Sequence, residues 1–175
     1  MGLVWSLVLL GSLALTLGCS PVPGAINLAR NGEASQDSDY TVSSVMGYAR
    51  NAIDGVSNTD YEKGSCTHTA GINPPWWKLD LRRSYKISSV VLTNRQDCCP
   101  ERLLGAEVRI GNSPDNNNPV CGTVTSVGNP SILFCCNGME GQYVSVVIPG
   151  RPMWLTLCEV DVYEDLTTKD NKVCW

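Results

Sequence analysis

Apolar-rich runs at residues 76–81, 87–92, 106–110, 143–148 and 157–163 are separated by Gly, Pro and Asn clusters, and no stretch sustains a 3.6-residue helical period. The last run, Leu157-Cys158-Glu159-Val160-Asp161-Val162-Tyr163, alternates apolar and polar residues with the period of a half-buried strand. The breaker Gly111-Asn112-Ser113-Pro114-Asp115-Asn116-Asn117-Asn118-Pro119 is a long surface loop. A further short run at residues 25–29 reads as the opening strand. This pattern predicts an all-β sandwich or barrel. No internal repeat is visible, so one module with one site is expected.

The 175 residues suffice for a single domain. A net charge of -4 without any Lys/Arg run argues against nucleic acid, which demands a basic face. The first 19 residues are almost uninterruptedly apolar and end in Gly18-Cys19-Ser20. They read as a secretory signal peptide, because the apolar core is shorter than the roughly 20 residues a membrane span needs. No later segment is long and apolar enough for membrane insertion. Residues 20–24 then read as a linker, 25–164 as the domain and 165–175 as a polar tail.

Export makes disulfides the expected state of the nine cysteines. Loss of Cys19 with the leader leaves Cys66, Cys98, Cys99, Cys121, Cys135, Cys136, Cys158 and Cys174, an even set. Cys174 is expected either to staple the tail onto the domain, with Cys135-Cys136 offering a surplus, or to link chains; the staple is the favoured expectation. One histidine and no CxxC spacing make a zinc site a poor alternative.

The candidate site is Arg95-Gln96-Asp97-Cys98-Cys99-Pro100-Glu101-Arg102 together with His68, the only histidine. Pro100 favours a loop, which lets two guanidinium groups converge on one small polar ligand. Asp97, between two cations that would otherwise repel, is expected to hold one or both of them. A surface salt-bridge cluster is the alternative for these residues. Neighbouring Cα atoms lie about 3.8 Å apart, below the usual ~4.4–6.8 Å of a disulfide, so a Cys98–Cys99 bond is strained and separate partners remain open.

His68, Arg95-x-Asp97 and Arg102 at these separations resemble the fucose-binding motif of the F-type lectins, or fucolectins. Asn51-Ala52-Ile53-Asp54-Gly55, Gly64-Ser65-Cys66-Thr67-His68, Asn73-Pro74-Pro75-Trp76-Trp77, Thr93-Asn94-Arg95 and Leu157-Cys158-Glu159-Val160 are similar to family landmarks in the same order. The resemblance implies a jelly-roll-like antiparallel β-sandwich, disulfide-stapled and related to discoidin domains. It implies L-fucose on terminal glycans as ligand, with His68, Arg95 and Arg102 as the sugar-binding residues and Asp97 in support. It also implies a Cys98–Cys99 bond as a flat, polarisable surface for an apolar sugar face, a Cys66–Cys158 bond, and Cys121 bonded to Cys136 or Cys135. Tyr61 is a candidate to close the pocket over the sugar methyl group from a half-wet rim.

A structural Ca2+ follows from the same resemblance, held by oxygens of Asn51, Asp54, Ser65 and Glu159 and by the carbonyls of Val56 and Cys158. Weak single sites imply a homo-oligomer, a trimer as in relatives, that agglutinates microbial or other cells in innate defence. No nucleophile motif or carboxylate pair suggests an enzyme. The alternative is a discoidin-like adhesion module that binds phospholipid or protein through another face.

Overall fold

A computed structural model of the chain describes Cys19, Pro21 and residues 24–71 and 74–166. Most of the leader and linker, and the tail from residue 167 with Cys174, therefore lie outside the described residues. Eight strands follow in order: β1 (Glu33–Gln36), β2 (Thr41–Val42), β3 (Val45–Met46), β4 (Trp76–Thr93), β5 (Glu107–Gly111), β6 (Val120–Thr123), β7 (Ser131–Val147) and β8 (Glu159–Glu164).

All pairings are antiparallel, in the order β1-β4-β7-β5-β6 with β8 also on β4, and β2 and β3 form a separate ribbon. Strand β7 runs along one edge of β4, while β1 takes the first half of the other edge and β8 the second half. Between the halves the register slips from Asp80 to Tyr85, Arg82 takes a positive φ of 66°, and the Asp80 carboxylate accepts the Arg82 N–H at 2.6 Å. The strands build a jelly-roll-like antiparallel sandwich. The core is a continuous apolar cluster that includes Trp77, Leu79, Ile87, Val90, Leu92, Val108, Val144, Val146, Leu157 and Val160. Each such side chain contributes about 1.5–3 kcal/mol on burial. The Trp77 indole N–H is satisfied by the Ala49 carbonyl at 2.9 Å.

The runs at residues 76–81 and 87–92 are thus two ends of one strand, and 143–148 is the end of β7. The expected opening strand is not one. Asn27 makes a single bridge to Tyr163, and Leu28–Asn31 is one turn of 3-10 helix. The cause is the Asn27 side chain: its carbonyl accepts from Ala29 and Val162 N–H while its amide donates to Asp161. Such local bonding favours a cap over a ladder.

Four disulfides join the described residues: Cys66–Cys158, Cys98–Cys99, Cys121–Cys136 and Cys19–Cys135. Adjacent residues on β7 face opposite ways, so Cys136 is buried toward Cys121 while Cys135 is exposed. The outward cysteine takes Cys19. Cys19, expected to be lost with a leader, thus has a partner in the domain, and the expectation that Cys135 or Cys136 is free to staple Cys174 is corrected.

Candidate functional site

The segment carrying His68 is held on both sides. Thr67 and Thr69 pair with Leu157 and Leu155 through backbone bonds of 2.7 and 3.1 Å, and their hydroxyls accept the Leu157 and Leu155 N–H groups in return. On the other side the His68 N–H donates to Gly47 O at 3.0 Å, and the Tyr40 N–H to His68 O at 2.9 Å. A Cβ at residue 47 would lie 2.4 Å from the His68 nitrogen, so this approach requires glycine. The Cys66–Cys158 bond ties the same segment to the start of β8.

Arg95 lies two residues past the end of β4. Its Nε and Nη2 donate to the two oxygens of Asp97 at 2.9 and 2.6 Å, and its guanidinium carbon lies 4.7 Å from the centre of the Tyr61 ring. Asp97 also accepts the Tyr61 N–H at 3.0 Å. The chain then turns through Cys98–Cys99. Cys99, at φ 58°, caps the single turn Pro100–Leu103, whose last part presents Arg102. The Arg102 guanidinium lies 4.9 Å from the centre of the Trp154 ring.

These residues enclose one cavity of about 260 Å³, lined by Tyr40, Val42, His68, Arg95, Cys98, Arg102 and Trp154. The structure therefore brings His68, Arg95 and Arg102 together, with Cys98 as part of the wall. His68 is 3% exposed and its Nδ1 lies 2.8 Å from the Thr69 carbonyl oxygen. Nδ1 must donate there, which leaves Nε2 as an acceptor in the neutral ring. Burial lowers the His68 pKa from 6.5, and the charges of Arg95 and Arg102 lower it further, so the ring is neutral at pH 7. The hydrogen bonds from Arg95 hold the Asp97 carboxyl below its ordinary value, against an opposing effect of burial.

Tyr61 is not at the rim. It is 1% exposed, its hydroxyl donates to Val45 O at 2.8 Å, and its ring meets His68 edge-on at 5.5 Å. Burial raises its pKa. It supports Arg95 and His68 from beneath, and the sequence reading of a rim tyrosine is corrected. The half-exposed aromatic walls are instead Tyr40, with its ring 5.2 Å from His68, and Trp154. Trp154 and Val42 went unnoticed in the sequence. The signal for Trp154 was an aromatic in a Pro-containing loop just before the buried Leu155-Thr156-Leu157.

The expected calcium ligands lie apart from the cavity. Among the described residues no group of three or more His, Cys, Asp or Glu is placed to hold a metal. A set built on Asn51, Asp54, Ser65, Glu159 and two carbonyls contains only two carboxylates, so its fit rests on other observations. Glu159 is 2% exposed, and Oε2 accepts the Gly55 N–H at 3.1 Å while Oε1 is buried without a partner. Its pKa is pushed up to about 7, chiefly by burial and then by the Asp161 charge. The Asn51 amide donates to Met46 O and Cys66 O, both at 3.0 Å, which leaves its oxygen as the atom for a cation. The orphaned Glu159 oxygen and the free Asn51 oxygen are hard donors of the kind that Ca2+ takes.

A β-sandwich with a polar cavity among its loops is the architecture of the galactose-binding-domain-like modules, and the model of the NedA-like, galactose-binding domain matches residues 51–146. Fucolectin-6 of Anguilla japonica is 43% identical over 139 residues, which cover 78% of this chain and 74% of that protein. The fucolectin from striped bass (Morone saxatilis) serum superposes with a TM-score of 0.74 at 48% identity, covering 80% of this chain. This chain spans 47% of that lectin's length. The lectin domain of lectinolysin, solved with Lewis B antigen, gives a TM-score of 0.70 at 28% identity, covering 80% and 97% of the two chains. The chain belongs to the fucolectin family of F-type lectins.

Proposed function

We propose that the protein is a secreted, calcium-containing lectin that binds L-fucose on terminal glycans. The observation that carries this reading is the donor and acceptor pattern of the cavity. His68 Nε2 is an acceptor, and the unshared N–H groups of Arg95 and Arg102 are fixed donors around it. A sugar with vicinal hydroxyls and a ring oxygen supplies the complementary set, and Val42 and Cys98 give its methyl group an apolar wall. The cavity of about 260 Å³ suits one monosaccharide, since drug-sized ligands fill roughly 300–1,000 Å³. No carboxylate among the described residues lines it, and glycoside hydrolysis uses two, so binding is favoured over turnover. The fucolectin relatives support the same ligand.

Calcium at Asn51, Asp54, Ser65 and Glu159 would compensate the buried Glu159 charge and tie the loop before His68 to β8. It supplies charge and coordination, not contact with the sugar. Export would proceed through a leader cleaved ahead of Cys19, which keeps the Cys19–Cys135 bond in the mature chain. Agglutination of fucosylated cells in innate defence follows if several copies assemble, because separate weak sites then act together.

The test is isothermal titration with L-fucose in the presence of calcium, beside Arg95→Ala. Heat from the wild type that the variant loses establishes the reading. No heat from a folded wild type sinks it and favours adhesion through another face.

A further inference from the structure

The two arginines of the cavity are anchored by different physics. Arg95 is gripped by the Asp97 carboxylate through two hydrogen bonds, at the cost of two of its five N–H donors. Among the described residues the Arg102 side chain makes no hydrogen bond or ion pair; its one side-chain partner there is the face of Trp154, 4.9 Å from the guanidinium carbon. Asp97, expected from the sequence to serve one or both arginines, bonds to Arg95.

Trp154 is well placed to act as an anchor. Leu155, the next residue, is fully buried and is joined to Thr69 by two hydrogen bonds, its N–H to the Thr69 hydroxyl at 2.9 Å and its carbonyl to the Thr69 N–H at 3.1 Å. The indole also lies against Gly71, where a Cβ would fall 2.9 Å from Nε1. Trp154 is nevertheless 42% exposed. A large apolar ring that is fixed at its backbone yet left half in solvent beside a cation is poorly explained by core packing.

We propose that Trp154 is the positioning residue for Arg102, an aromatic counterpart of Asp97. A cation over an indole face is held electrostatically without using any N–H group, so all five Arg102 donors stay available to the ligand. This arrangement also has no titrating partner. The Arg95 anchor weakens when Asp97 is protonated, whereas the Arg102 anchor is indifferent to acid. The proposal deepens the fucose reading and rests on it for the ligand, but the anchoring itself can be measured without ligand.

The experiment therefore has two arms on the full oxidised protein with calcium, comparing wild type with Trp154→Leu and Trp154→Phe. The first arm, without sugar, records the Arg102 Nε–Hε NMR signal. Ring-current displacement and restricted motion are expected in the wild type and Trp154→Phe and are expected to vanish in Trp154→Leu. An Arg102 signal unaltered by Trp154→Leu overturns the proposal whatever the ligand is. The second arm titrates L-fucose. Trp154→Leu should bind roughly three- to fivefold more weakly, the worth of a half-exposed cation–π contact, with Trp154→Phe close to wild type. In an Arg102→Ala background, Trp154→Leu should cause no further loss. An undiminished loss there overturns the proposal. Absence of fucose binding by the wild type sinks the ligand reading, and the first arm still decides the anchoring.

Discussion

Replacing Asp97 with Asn isolates the charge that holds Arg95. The variant keeps the side-chain volume and an oxygen for the Tyr61 N–H, and removes the bidentate ion pair. The Arg95 side chain is 10% exposed and that of Asp97 26%. Breaking a fully buried pair costs about 3–5 kcal/mol, because a charge is left unpaired, and breaking a fully exposed one about 0–1 kcal/mol. With the cation buried and a quarter of the carboxylate in water, the expected loss at pH 7 is about 2 kcal/mol. For a domain of this size that lowers Tm by roughly 4–8 °C. The pH dependence supplies the sharper check. Asp97 has a folded pKa below its ordinary 3.8, so its stabilisation is complete above 3.8 and is lost as pH falls through the folded value. Thermal unfolding followed by circular dichroism should show wild type and Asp97→Asn well separated at pH 7 and converging as pH falls below 3.8. A separation that persists undiminished into acid would refute the reasoning, because the loss would then come from shape and not from charge. Equal Tm values at pH 7 would refute it as directly.

For His68 the folded pKa lies below 6.5, so the unfolded chain takes up the proton first and stability falls as pH drops below 6.5. Fucose affinity, measured by titration calorimetry, should be flat above pH 6.5 and decline only below it, as Nε2 ceases to be an acceptor; a decline beginning near pH 8 would assign the acceptor elsewhere. Removing calcium with a chelator should lower Tm, because a ligand present at 100 times its Kd stabilises by about 2.7 kcal/mol. Under chelation Glu159→Gln should be more stable than the wild type, since it replaces a buried carboxylate whose Oε1 has no partner, and it should respond little to added calcium. Mass spectrometry of the secreted, non-reduced chain should find Cys19 joined to Cys135; a mature chain beginning after Cys19 would contradict that bond.

The sandwich was legible because alternation and breakers survive in the sequence whatever the topology. What local pattern does not carry is the continuity of β4 and β7. Arg82 at positive φ and the slip from Asp80 to Tyr85 look like a loop when read residue by residue, yet β4 continues through them and pairs with β7 on both sides. The three polar groups of the cavity were legible through their family spacing, and Asp97 through its closeness to Arg95. Tyr61 was misjudged because proximity in sequence to His68 says nothing about which side of the ring it takes; its hydroxyl finds Val45 O and draws it under the site. Trp154 was missed because 86 residues separate it from His68, and only the pairing of Thr67 and Thr69 with Leu157 and Leu155 brings the two together. The Cys19–Cys135 bond was missed because Cys19 was set aside together with the apolar run that precedes it.

The same connections explain why a shallow cavity can be selective. A directional site gains affinity when its groups are fixed before the ligand arrives, since ordering each mobile side chain on binding costs about 0.5–1.5 kcal/mol. His68 is fixed by a ladder to residues 155–157, by Gly47 on its other side and by the Cys66–Cys158 bond. Arg95 is fixed by Asp97 and Tyr61, and Arg102 by Trp154 and by the turn that Cys99 caps. These supports come from at least four separate stretches of chain, so no single loop movement releases the whole site. Variation in the Tyr40 wall, which anchors neither arginine, can then alter what surrounds the first sugar while the polar floor that reads it stays in register.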